Sequence, residues 1–139
     1  MDTMITGKVL YLDKPNANGR IYDRESTLAA IEKFNNKPTK LSEFLPLERT
    51  IQVNLDNIGG VVTSLYVQDE TVYAEVKVID TINGKKVKEL ASDVKLMFSL
   101  KGTVTLLPDE TVTDLEIISI DVVPFDGDKI DRICSIGFE

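Results

Sequence analysis

Ser99 and Lys101 are the pair in this chain whose types and spacing come nearest to covalent catalysis. Two residues apart on an extended segment, their side chains share one face about 7 Å apart, within reach of a lysine stem. A serine hydroxyl is a poor nucleophile until a base takes its proton, and a desolvated lysine with a depressed pKa is one such base. The plainer expectation is an exposed Ser/Lys strand face with a solvated ammonium, because strongly shifted lysines are uncommon. The usual base is missing altogether, since the 139 residues include 0 histidines. A Ser-His triad is excluded by composition, and loss of a triad member costs on the order of 10⁴ to 10⁶ in turnover.

Other residues offer less. Cys134 is the sole cysteine, so an intrachain disulfide and a thiolate zinc cluster are both excluded, and without a histidine partner it makes no cysteine-protease centre. Asp126-Gly127-Asp128 with Asp131 is acidic, but it lacks the alternation and distal glutamate of a calcium loop and reads as a solvated turn. Glu43 with Glu48, or Asp56 with Asp121, would make carboxylate pairs for acid–base work, yet no spacing brings either pair together. No metal or cofactor is expected.

Bulk composition sets the class. At 42% apolar and 28% charged, the chain has the make-up of an ordinary globular domain, and its length suits one core. The formal net charge of −7 argues against a nucleic-acid backbone as partner and fits docking on a basic protein. No apolar run approaches a membrane span, and Met1 to Thr6 lacks the basic and apolar regions of a secretion signal. The expectation is a soluble, non-secreted protein.

The elements that must position these residues are mostly strands. Met4 to Leu12 reads as a strand ending at Asp13-Lys14-Pro15, and Asn18-Gly19 as a tight turn. Asp23 caps a helix through about Asn36, with Leu28, Ile31 and Phe34 as its buried stripe and Pro38 as its stop. Lys37 to Arg49 reads as a loop and Thr50 to Leu55 as a short strand. Val61 to Gln68 and Thr71 to Asp80 form a hairpin, in which Val72, Ala74, Val76 and Val78 alternate with polar residues. Asn83 to Ser92 is a second helix burying Val87, Leu90 and Ala91. Val94 to Leu107 and Thr111 to Val123 are long strands joined at Pro108-Asp109-Glu110, and Ile130 to Phe138 is a final strand.

Asn16-Ala17-Asn18-Gly19-Arg20-Ile21-Tyr22 resembles the N-x-N-G-R-x-Y signature of tailed-phage prohead proteases, the capsid-maturation serine proteases that share a fold with herpesvirus assemblin. Val53 to Val62 is similar to their I-N-L-(D/E)-N/R-V-S-H-V-I segment, and Val78 to Leu90 to I-L-D-T-x-x-G-K-x-V-x-x-L. Lys95 to Gly102 falls where the family has K-x-G-V-S-S-R-G, the region of the nucleophile, and Leu115 to Val123 resembles F-E-L-x-x-I-D-I-V. Order and spacing hold from about Val9 to Phe125.

The departures fall where chemistry belongs. Ser42-Glu43-Phe44-Leu45-Pro46 stands in place of G-E-L-x-H-P without its histidine, and Gly60 stands where S-H-V has its own. Of the two family serines one survives as Ser99 and the other is Leu100, while the arginine is Lys101. Ser135-Ile136-Gly137-Phe138 also matches a nucleophile segment of some branches, but follows the I-D-V-V strand instead of preceding it, and reads as a terminal strand burying Ile133 and Cys134. The signature at Asn16, Asn18, Gly19, Arg20 and Tyr22 reads as a fold motif: the turn reverses the chain, Ile21 enters the core, and Arg20 and Tyr22 anchor the loop.

The resemblance therefore implies one α+β, mainly β domain over residues 1–139, a small antiparallel, partly closed β-barrel with two flanking helices. It implies a catalytically silent structural or auxiliary capsid protein of a tailed bacteriophage, made in the host cytoplasm and bound in the virion to the major capsid protein and other capsid or scaffold proteins. No enzyme activity, nucleic acid or membrane is part of that expectation. The alternatives are an active maturation protease with a divergent Ser99–Lys101 centre, and a non-catalytic assembly or scaffold factor. The Lys37 to Arg49 loop and the acidic turn near Asp126 are the expected contact elements.

Overall fold

Alternation in the sequence becomes two four-stranded sheets. The computed structural model describes residues 3–16, 19–47, 50, 52–125 and 135–138. In chain order the elements are β1 (Met4–Tyr11), β2 (Ile21–Tyr22), α1 (Arg24–Asn35), β3 (Leu41–Glu43), a 3₁₀ turn (Leu55–Asn57), β4 (Ile58–Gln68), β5 (Thr71–Val78), α2 (Ile82–Leu90), β6 (Leu96–Leu106), β7 (Thr111–Pro124) and β8 (Ser135–Phe138). One sheet runs β1-β5-β4-β3 and the other β2-β7-β6-β8. Isolated bridges join them at two corners, Leu12 to Tyr22 and Phe44 to Val122. Among the described residues the strands form two ladders and no closed barrel, and β2–β7 and β6–β8 run parallel where antiparallel pairing was expected.

The hairpins follow their signals. In β5, Val72, Ala74, Val76 and Val78 are buried, as the period of two requires. The β4–β5 turn puts Asp69 at φ 56, a left-handed position that aspartate tolerates. At the β6–β7 turn the Asp109 carboxylate accepts the Thr111 N–H at 3.0 Å. Asp23 caps α1, accepting the Ser26 N–H at 3.1 Å.

Several expectations need correcting. The buried line of α1 is Thr27, Ala30, Ile31 and Phe34, so Leu28 falls off its axis and is 40% exposed. In α2 only Gly84 and Val87 are buried; Leu90 and Ala91, at the C-terminal end of the helix, are exposed. The presumed loop from Lys37 contains β3, antiparallel to β4, with Ser42, Glu43 and Phe44 buried. Among the described residues of 50–55 there is no strand; Asn54 instead caps the 3₁₀ turn by accepting the Asp56 N–H at 3.0 Å. Ile133, Cys134 and the Asp126 to Asp131 turn lie outside the described residues, as do Asn18 and Glu48.

The signature segment builds one corner. Gly19 takes φ +82 and donates its N–H to the Asn16 carbonyl at 2.9 Å, and the Asn16 side chain accepts the Arg20 N–H at 3.0 Å. Tyr22, 1% exposed, enters the core in place of the half-buried Ile21. β2 then pairs with Thr111 and Val112, roughly 30 Å along β7 from Asp121.

Candidate functional site

The centre of β6 and β7 is covered on both faces. On one lie Phe98, Leu100, Ile120 and Val122, all buried. On the other, Ser99 sits directly opposite Asp121, and Lys101 opposite Ser119, so four polar side chains share a face. All four are 0% exposed. The exposed Ser/Lys face is thus overturned: β3 lies over it and brings Glu43, 1% exposed, to the lysine.

Burying one ammonium and two carboxylates costs several kcal/mol per ion unless partners replace water. Here partners are supplied from four segments. Lys101 Nζ donates to Glu43 Oε2 and to the Gln52 carbonyl at 3.2 Å, and stands 3.9 Å from Asp121 Oδ2. Glu43 Oε1 accepts the Asn54 N–H at 3.4 Å and Asn57 Nδ2 at 3.3 Å, which explains why the 3₁₀ turn packs here. Asp121 Oδ1 accepts Ser119 Oγ at 2.8 Å and the Glu43 N–H at 3.2 Å. Ser42 Oγ is buried with no hydrogen-bond partner among the described residues.

The backbone around Glu43 is equally tied. Phe44 donates its N–H to the Asn57 carbonyl and Leu45 to the Val122 carbonyl, both at 2.8 Å, while Asn83 Nδ2 donates to the Phe44 carbonyl at 2.8 Å. Leu45 takes φ 53 to make this corner, a left-handed conformation costing roughly 1–2 kcal/mol for a side chain of its kind.

Of the carboxylate pairs suggested by the sequence, Asp56 and Asp121 do not meet, and Glu43 with Glu48 falls outside the described residues. Asp56 is exposed on the 3₁₀ turn while Asp121 is buried. The carboxylates that meet are Glu43 and Asp121, with Lys101 between them. The signal available was a charge inside an apolar run: Lys101 follows Leu100 in a buried strand, and Asp121 lies between Ile120 and Val122. Among the described residues no group of three or more His, Cys, Asp or Glu side chains is placed to hold a metal.

No family profile and no curated protein sequence matches the chain. Among solved structures, it is similar to the bacteriophage T4 capsid assembly protease gp21. The TM-score is 0.68 over 88% of this chain and 82% of that one, at 16% identity. The chain has a prohead-protease-like fold.

Within that fold, the three segments where the family resemblance places catalytic groups converge on the buried cluster. Ser42 pairs with Gly60 across β3 and β4, and the Lys95 to Gly102 segment runs beneath as β6. Gly60 leaves no room for a side chain: a Cβ there would stand 2.5 Å from Val76 Cγ1 and 2.9 Å from both Phe44 Cζ and the Lys77 carbonyl oxygen. A Cβ on Gly59 would run into the same ring. The position where the resemblance expects a histidine is therefore closed by Val76 and Phe44 together. A cavity of about 510 Å³ opens on the other side, between β1, α2 and the start of β6; Met97 and Phe98 line it, but Ser99 and Lys101 do not.

Proposed function

We propose that this chain is a catalytically silent, prohead-protease-like structural or auxiliary capsid protein of a tailed bacteriophage, bound to the major capsid protein in the virion. The observation that carries the silence is the closed Ser99–Lys101 face. Ser99 is 0% exposed, and Lys101 directs its hydrogens to Glu43 and the Gln52 carbonyl. A peptide carbonyl has no path to that hydroxyl, and an amine donating to a carboxylate is not available to take its proton. Support for the capsid role is the fold shared with a capsid assembly protease; a fold retained after its chemistry is lost still offers a protein-binding surface.

The Ser42 to Phe44 segment is buried, so this reading assigns capsid contact to exposed residues elsewhere. No helix among the described residues is long and apolar enough to cross a membrane. Quantifying the protein in purified mature particles tests the role. Many stoichiometric copies are expected. Abundance in proheads with none in finished particles would replace it by an assembly factor.

A further inference from the structure

The Lys101–Glu43–Asp121 cluster contains more than an ion pair needs. It places an amine, a carboxyl group, two hydrogen-bond donors on one oxygen of that carboxyl, and a second carboxylate together, with all three charged side chains buried. We propose that Lys101 Nζ and Glu43 Cδ condense to an intramolecular amide, with Asp121 as proton carrier. The inference stands apart from any capsid role.

Each part has a position. Lys101 Nζ is in contact with Glu43 Oε2, and both residues are at most 1% exposed. Held groups of this kind react as if at about 10⁵–10⁸ M, provided they are aligned. Oε1 is the oxygen that receives the Asn54 N–H and Asn57 Nδ2, so negative charge developing on it during attack has donors waiting. Oε2, on the lysine side, is then the leaving oxygen. Asp121 Oδ2 faces Nζ at 3.9 Å, while its other oxygen is held by Ser119 Oγ and the Glu43 N–H.

The step balances without any co-reactant. The ammonium carries three protons. One passes to Asp121, and the freed amine attacks Cδ to give a tetrahedral intermediate. The C–Oε2 bond breaks as Oε2 collects the proton from Asp121 and a second from nitrogen, leaving as water. One N–H remains on the amide, and Asp121 ends as the carboxylate it began as. In bulk water, hydration of the two ions opposes this condensation; in a buried site that hydration is already lost, and a neutral amide replaces two desolvated charges. The product would tie β3 to β6, residues 58 apart in sequence, and so join the two sheets covalently.

The test is the mass of the purified full chain under denaturing conditions. The expected result is a chain lighter than its sequence by one water, with proteolysis yielding a joined peptide that contains both Glu43 and Lys101. Lys101→Arg should return to full mass, and Asp121→Asn, nearly isosteric, should stay mostly at full mass. A wild-type chain at full sequence mass would overturn the proposal. So would a missing water that persists in Lys101→Arg or maps to another residue, such as Asp126 beside Gly127. An Asp121→Asn chain linked as completely as wild type would overturn the proton-carrier role.

Discussion

The ring of Phe44 stands 2.9 Å from the point a Cβ on Gly60 would occupy, and Val76 Cγ1 stands 2.5 Å from it, so the position where the resemblance expects a histidine is closed by both side chains. The glycine and the ring are mutually required. Replacing the histidine without moving the ring is therefore not a route back to chemistry.

Gly60→His is expected to destabilise the fold by about 1–3 kcal/mol, the usual cost of forcing volume into a packed core. Urea unfolding measures this. A variant as stable as wild type, or one that gains peptide cleavage, would show that the space is not filled as described.

Removing one member of the buried pair leaves the other uncompensated. Measured against chain still at its full sequence mass, in which both groups are ions, Lys101→Ala or Glu43→Ala should each cost about 3–5 kcal/mol, whereas Lys101→Met combined with Glu43→Leu should recover much of the loss. Chemical denaturation of the three variants decides it. Single-variant losses below about 1 kcal/mol, the range of exposed pairs, would contradict the burial.

Much of the architecture was legible in the sequence. Period-two alternation located β5, and capping and turn residues located α1 and both hairpins. The site was not. Glu43 reads as loop polarity because β3 is three residues long and its burial depends on partners from residues 52–57 and β7. Long-range pairing of that kind leaves no local period. Leu28 shows the converse, an apolar residue whose face nothing local specified.

That difference is measurable on α1. Phe34→Ala should cost about 3–5 kcal/mol, while Leu28→Ala, at 40% exposure, should fall within about 0.5 kcal/mol of wild type. Equal losses would mean the helix presents another face to the sheets.

The surface clasp between Lys14 and Glu70, 2.9 Å apart, sets a pH window. Hydrogen bonding to Lys14, reinforced by its charge, holds the Glu70 carboxyl below its ordinary value. Its contribution is therefore present above the ordinary glutamate pKa and lost as pH falls through the lowered one. The same bond raises Lys14, whose contribution is present below the ordinary lysine pKa and lost as pH rises through the raised one. NMR titration should show both displacements shrinking in high salt, and that of Lys14 vanishing in Glu70→Gln. An unchanged Lys14 displacement in that variant would exclude the clasp as its cause.

The proposed catalytic silence is tested most directly by mixing the purified protein with capsid and scaffold proteins encoded in the same genome and sequencing all new chain ends. The closed Ser99–Lys101 face predicts none, with wild type and Ser99→Ala indistinguishable. Cleavage by wild type that disappears in Ser99→Ala and in Lys101→Ala would contradict it.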